Sequence, residues 1–164
     1  MIVSTMAGNG HPLSGPLSRI QSIETFVDID APPSVVWNLL TDLSSYPEWN
    51  PHIVRARGDL RVGSSLDIRI RRKGVKDRDM TVTISELEPE RRLAWVGTLL
   101  HTRIFEGRHV YELEPLDGSR TRLHNRESVR GLLASSALTD DPARDYEAMN
   151  RALKSRAEQA AKAT

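Results

Sequence analysis

An α+β domain, an antiparallel sheet covered on one face by a long C-terminal helix, is the fold class this sequence predicts. Three observations carry that expectation. Between Ile53 and Arg130 apolar side chains recur with period two, interrupted by short polar turns. After Asp141-Pro142 the period becomes helical and stays so nearly to the last residue. Ahead of both lies one strand-like run and one short apolar helix with a proline-rich break behind it. Consecutive strands joined by short turns give an antiparallel meander with one wet and one covered face, and a helix on the covered face completes the class.

Taken in order, residues 1–20 hold Gly, Ser, Pro and Asn without an apolar stretch behind a basic flank. They read as a flexible tail with no secretory signal, with Met6 as an alternative start, and 21–164 reads as a single domain. Ile23, Val27 and Ile29 share one side of a strand whose other side carries Glu24 and Asp28. Ala31-Pro32-Pro33 ends it, and Ser34 is a candidate to start the helix that places Val36, Leu39, Leu40 and Leu43 on one face beside Trp37. The stretch "SSYPEWNP" (44–51) then forces a break or a very short second helix. Leu66, Ile68 and Ile70 form one face of a strand, as do Met80, Val82 and Ile84, and then Leu93 and Trp95 beyond a turn at Glu88-Pro89-Glu90. Phe105, Gly107, His109, Tyr111 and Leu113 share a face of the next strand. Leu123, Asn125, Glu127 and Val129 share one beyond the turn at 115–119. Asp141 as N-cap and Pro142 at the first helical position open the last helix, with Tyr146, Met149, Leu153, Ala157 and Ala160 as its apolar stripe.

Composition narrows the function. Lys and Arg number 23 against 22 Asp and Glu, a net charge of +1, so no global field recruits nucleic acid. The six basic residues of "IRIRRKGVKDR" (68–78) lack interleaved aromatics and read as a solvated face with a polar hairpin tip. No run of 18 apolar residues exists, so no integral membrane segment is expected. The absence of Cys excludes disulfides, a thiol nucleophile and thiolate metal sites. His11, His52, His101, His109 and His124 show no metal-ligand spacing, and no nucleotide loop or hydrolase elbow occurs. Neither a metal nor a cofactor is expected, and a cytoplasmic, bacterial-type protein is.

One constellation stands out. If the strands flanking 117–119 form a hairpin with their apolar faces matched, residue 113 faces 123, 111 faces 125 and 109 faces 127. His109 and Glu127 then become neighbours on the covered face, with Tyr111 and Asn125 beside them. Such a cluster can orient a ligand's carbonyl or hydroxyl, or move protons in a cyclisation or dehydration. It can equally be a buried pair that only satisfies itself. Alternation adds Leu66, Ile68, Ile70, Val82, Ile84, Trp95 and Phe105 as cavity candidates. Met149 and Leu153 face them from the helix, with Asn150 on the flank. "GLLASSAL" (131–138) is either a flap at the cavity mouth or an irregular packed connection.

The strings "IDAPPSVVWNLLTDLSSYPEWNP" (29–51), "LEPERRLAWVG" (87–97), "FEGRHVYELEPL" (105–116) and "YEAMNRALKSRAE" (146–158) resemble the START-like superfamily, the polyketide cyclase/dehydrase and lipid-transport group. The resemblance spans 23–158 and implies a helix-grip fold: a curved seven-stranded sheet around the C-terminal helix, two short helices after strand 1, and an apolar cavity between. It makes Trp49 a structural plug that helps close one end of the sheet. It also implies a small hydrophobic ligand (a lipid, isoprenoid or polyketide-like molecule) as partner, with Ile68, Ile70, Val82, Ile84, Trp95, Phe105, His109, Tyr111, Asn125, Glu127, Met149 and Leu153 as ligand contacts. Whether the chain is an enzyme stays open. An aromatase/cyclase would use His109 and Glu127 as acid and base, with Tyr111 and Asn125 orienting. A co-chaperone-like protein-interaction module is the third alternative.

Overall fold

The computed structural model describes residues 21–99, 105–131 and 142–163. The expected tail (1–20), the Asp141 N-cap and residues 132–138 of the expected flap lie outside the described residues. Strand β1 (Gln21–Ile29) leads into helix α1 (Pro33–Thr41), a 3-10 turn (Leu43–Ser45) and the four-residue helix α2 (Tyr46–Trp49). Six strands follow: β2 (Ile53–Gly58), β3 (Ser65–Arg72), β4 (Val75–Glu88), β5 (Arg92–Leu99), β6 (Phe105–Asp117) and β7 (Arg120–Arg130). Helix α3 (Pro142–Lys162) closes the order. All seven strands form one antiparallel sheet in the order β1-β7-β6-β5-β4-β3-β2. Strand β2, too short and mixed to show a period, is the one the residue pattern alone does not reveal.

Local chemistry explains the boundaries. Helix α1 begins at Pro33 with Pro32 in the N-cap position and no side-chain cap, so Ser34 does not start it. Proline at the first helical position already has the right φ and lacks a donor that would go unsatisfied there. The Pro32 carbonyl accepts from the Val35 and Val36 amides at 3.0 and 3.3 Å. Tyr46 then donates its hydroxyl to the Leu40 carbonyl at 2.8 Å, tying α2 back to the end of α1. Trp49 packs edge-on against Tyr46 (5.1 Å between rings, 66°) and donates its indole N–H to the Ser45 hydroxyl. Both rings belong to the core, Tyr46 fully buried and Trp49 8% exposed, so the aromatic, proline-rich segment is indeed a plug. Behind it the Asn50 side-chain oxygen accepts from the His52 and Ile53 amides at 3.0 and 2.8 Å, shaping the entry into β2.

The β6–β7 hairpin has the register expected from matched faces: Leu113 opposite Leu123, Tyr111 opposite Asn125, His109 opposite Glu127. Tyr146, Met149, Leu153 and Ala157 of α3 are buried on the sheet, whereas Ala160 is exposed and Ala161 takes the packed position. A step of four from Ala157 stays nearer the stripe than a step of three here. Asn150, expected on the flank, is 2% exposed and fully within the interface. Away from the helix, Arg69 pairs with Asp79 and Arg71 with Asp77 across the β3–β4 hairpin, so these two arginines of the basic run are locally neutralised.

Packing differs along the sheet. Ile29, Leu40, Leu66, Ile84, Leu93, Leu123, Met149 and Leu153 are fully buried in a solid core. Toward the far ends of β5 and β6 two glycines, Gly97 and Gly107, sit directly opposite each other. A Cβ on Gly107 would lie 2.9 Å from Glu127 Oε1, and one on Gly97 would lie 3.0 Å from Met80 Cε and 3.1 Å from Val82 Cγ1. The missing Cβ atoms let these side chains close in on the backbone, and both glycines line a small hollow there.

Candidate functional site

The hollow is a cavity of about 40 Å³ between sheet and helix. Its apolar walls are Ile53, Ile68, Ile70, Met80, Val82, Trp95, Phe105 and Val129, and its polar groups are His52, Arg72, His109, Glu127 and Tyr146. Seven candidates from the sequence line it: Ile68, Ile70, Val82, Trp95, Phe105, His109 and Glu127. The other five (Ile84, Tyr111, Asn125, Met149 and Leu153), and Leu66 with them, are buried behind it in solid core. They face the right way, but the walls have closed over them. Larger depressions lie outside, two of them about 860 and 620 Å³. The first is bordered by Arg55, Arg69 and Arg71 and the second by Arg92, Arg108 and Arg126, all in ion pairs on the solvent face. The buried chemistry is inside.

His109 Nδ1 lies 3.3 Å from Glu127 Oε2, and His109 Nε2 lies 2.7 Å from Asn125 Oδ1. Asn125 donates its amide to Asn150 Oδ1 at 2.8 Å, Asn150 donates to the Thr25 hydroxyl at 2.9 Å, and Thr25 closes on the Asn125 backbone carbonyl at 3.5 Å. This chain, drawn from β1, β6, β7 and α3, leaves Asn125 Oδ1 as an acceptor. His109 must therefore carry its hydrogen on Nε2 and show a bare Nδ1 to Glu127. Tyr146 bonds the same carboxyl group. Trp95, Tyr111 and Tyr146 surround the imidazole, with ring centroids 5.1, 4.4 and 5.5 Å away.

Electrostatics agree with that hydrogen placement. Burial pushes Glu127 up to about 8, and the positive charge of Arg72 only partly opposes it. Burial pulls His109 down to about 3, with a nearby His52 adding to the effect. A protonated Glu127 can donate to the bare Nδ1, so carboxyl and imidazole satisfy each other as a neutral pair at neutral pH. The pair differs from its ionic form only by a proton shifted between the two atoms, which is the arrangement an acid/base couple needs.

His52, His109's counterpart across the cavity, was not marked as a site residue by its sequence context. Its Nδ1 lies 3.0 Å from the Arg71 carbonyl and its ring 5.0 Å from that of Tyr146. Burial lowers it to about 4, with Arg72 acting in the same direction and Asp145 against. Arg72, expected on a solvated face with the rest of the basic run, lines the cavity instead, and its parity with Ile68 and Ile70 is the signal that would have found it. Tyr111 spends its hydroxyl on the Met149 sulfur at 3.3 Å, which also accepts from the Asn50 amide, so it does not reach the cavity. Among the described residues no group of three or more His, Asp or Glu is placed to hold a metal ion, and no helix is long and apolar enough to cross a membrane.

A curved antiparallel sheet gripping a C-terminal helix, with a partly apolar cavity between them, defines the START-like helix-grip class. Within it the chain belongs to the family described as polyketide cyclase / dehydrase and lipid transport, whose model matches residues 21–161. Among solved structures, the fold is similar to the Zhui aromatase/cyclase from Streptomyces sp. R1128 (TM-score 0.68, 19% identity, 86% of this chain and 95% of that one). It is also similar to norcoclaurine synthase from Thalictrum flavum (0.66, 11%, 87% and 97%) and to Ara h 8.0201 (0.60, 14%, 89% and 100%). No curated protein sequence matches the chain.

Proposed function

We propose that the chain binds a small, largely apolar molecule of the lipid, isoprenoid or polyketide-like kind between the sheet and α3. Its apolar part would lie against Ile68, Ile70, Val82, Trp95 and Phe105, and its polar group would face Glu127, Tyr146 and His52. One observation carries this reading: a hollow, lined by Gly97 and Gly107, lies beside the buried, neutral His109–Glu127 pair. A His–Glu pair serving stability alone needs no space next to it. The family's own description and the aromatase/cyclase likeness point the same way.

Size sets a condition. About 40 Å³ holds roughly three waters, and an apolar cavity that accepts benzene measures ~150 Å³. An organic occupant must therefore displace wall side chains. Met80 and Ile70, both only partly buried, are the movable ones, and a thioether side chain repacks readily. Native mass spectrometry of the protein as purified, followed by denaturation and extraction, tests the proposal. A reproducible apolar species released from the wild type, and depleted in a variant whose hollow is filled (Gly97→Leu), supports it. A chain that is empty, and that takes up no apolar probe, refutes it.

The Glu127–His109 couple favours a second reading, an acid/base enzyme of the cyclase or dehydratase type. In a dehydration, bare His109 Nδ1 would take the carbon-bound proton. The carboxyl hydrogen of Glu127 would leave with the departing hydroxyl, so the two groups exchange roles and the proton count balances. Asn125 would serve by holding the imidazole. Retained binding with lost turnover in His109→Ala and Glu127→Gln would favour it, and unchanged turnover in both would exclude it.

A further inference from the structure

Both imidazoles in the cavity are pinned from behind by carbonyl oxygens, which only accept. His52 Nδ1 faces the Arg71 carbonyl at 3.0 Å, and a carbonyl oxygen has no hydrogen to give. The ring's hydrogen is thereby placed on Nδ1, and Nε2 is left with its lone pair. His109 is held the same way by Asn125 Oδ1, but its bare nitrogen is already served by Glu127. Tyr146 in turn directs its hydroxyl hydrogen to Glu127 and keeps only oxygen lone pairs for the cavity. His52 is 3% exposed and lines the hollow, so its Nε2 has little access to bulk water. Of the charged groups acting on it, Arg72 opposes a second positive charge and Asp145 favours one, and burial outweighs both.

We propose that this cavity selects molecules carrying a hydrogen-bond donor, such as a phenolic or alcoholic hydroxyl, over ethers of the same shape, with His52 Nε2 as the accepting atom. The inference rests on the ligand-binding reading above and adds the chemistry of the ligand's polar end. A site built around a fixed acceptor discriminates strongly, because a ligand without the donor leaves that acceptor dry and unsatisfied. Placing His52 on the loop shaped by Asn50, opposite a carbonyl of β3, fixes the tautomer by backbone geometry alone.

The test uses phenol and anisole, which differ by one donor, titrated into the 15N-labelled full chain. The Trp95 indole and the Gly97 and Gly107 amides report occupancy. Long-range 15N correlation reads the His52 tautomer directly. The expected result is a His52 hydrogen on Nδ1, phenol binding about tenfold or more tightly than anisole, and a His52 Nε2 resonance that shifts with phenol only. His52→Phe should bring the two ligands to equal affinity. If that variant does not fold, the wild-type ratio and the Nε2 shift decide alone. Equal binding of both ligands to the wild type, or a hydrogen found on Nε2, overturns the donor selection and leaves the apolar pocket standing. Failure of both to shift the cavity resonances up to their solubility overturns the binding reading itself.

Discussion

Glu127→Gln keeps the side chain's shape and can still donate to His109 Nδ1, but it removes the one carboxyl among the described residues that folding pushes up to hold its proton. The ordinary value of 4.5 rises to about 8 in the folded chain, so the folded state binds a proton that the unfolded state has lost. The stabilisation from that proton is complete below pH 4.5 and disappears as pH climbs through 8. Each pH unit between those limits carries about 1.4 kcal/mol. Between pH 6.5 and 8 the carboxyl therefore costs about 1.6 kcal/mol, the two histidines return about 0.8 as the unfolded chain loses its imidazolium protons, and the wild type should lose about 0.8 kcal/mol net. His52 and His109, neutral in the folded chain across this window, still lose protons in the unfolded chain near pH 6.5 and so oppose the carboxyl, whereas the buried tyrosines are pushed upward, out of it. Urea unfolding followed by tryptophan fluorescence at pH 5.5, 6.5, 7.5 and 8.5 measures the effect. The wild type should decline across the last two intervals, while Glu127→Gln rises by about 0.7 kcal/mol across the first of them and is flat across the second. Parallel curves would show that Glu127 is ionised in the folded chain, and the neutral-pair argument would fall with it.

The acid side has the opposite sign. His52 and His109, lowered to about 4 and 3 from an ordinary 6.5, stabilise fully above pH 6.5 and lose that contribution as pH falls toward those values. Between pH 6.5 and 4.5 two imidazoles work against one carboxyl, so the wild type should lose about 1.4 kcal/mol per unit and Glu127→Gln about twice that, read from the same urea series. Gly107→Ala puts a Cβ 2.9 Å from Glu127 Oε1 and should lower stability by about 1–3 kcal/mol, visible as a lower midpoint in thermal unfolding. Asn150→Ala strands the Asn125 amide and a Thr25 lone pair in a dry interface, at a cost of about 1–3 kcal/mol. The same variant should let His109 sample both tautomers in 15N spectra. Tyr46→Phe loses the bond to the Leu40 carbonyl and should cost about 1 kcal/mol in urea unfolding.

The sheet was legible because its chemistry is periodic. Faces that alternate over 105–113 and 123–129 fix not only two strands but their register, and His109 opposite Glu127 follows from parity. Strand β2 lacked that signal, with Arg55 and Arg57 flanking Ala56 in a run of six residues. His52 lay in a loop, where position depends on Asn50 side-chain bonds that no period encodes. Asn150 was misplaced for a different reason. A polar residue beside an apolar stripe is ordinarily wet, and only the two partners waiting at Asn125 and Thr25, from distant strands, make its burial tolerable. Depth was likewise invisible: inward direction is a matter of parity, but whether an inward residue meets space or another side chain depends on what stands opposite. Ile84 and Val82 belong to one strand face, yet only Val82 looks into the hollow.

That last distinction locates where function can reside in this fold. The solid end of the sheet is filled by fully buried Leu, Ile and Tyr side chains. The hollow end is lined by Gly97 and Gly107, by the donor group of Arg72, and by His52, His109 and Tyr146, whose hydrogens are directed onto fixed acceptors. Asn125 commits the far nitrogen of His109, Arg71 commits that of His52, and Glu127 commits the hydrogen of Tyr146. Apart from Arg72, what such a wall offers an occupant is lone pairs, and these are fixed before any occupant arrives. An interior built only for stability would have used those lone pairs up.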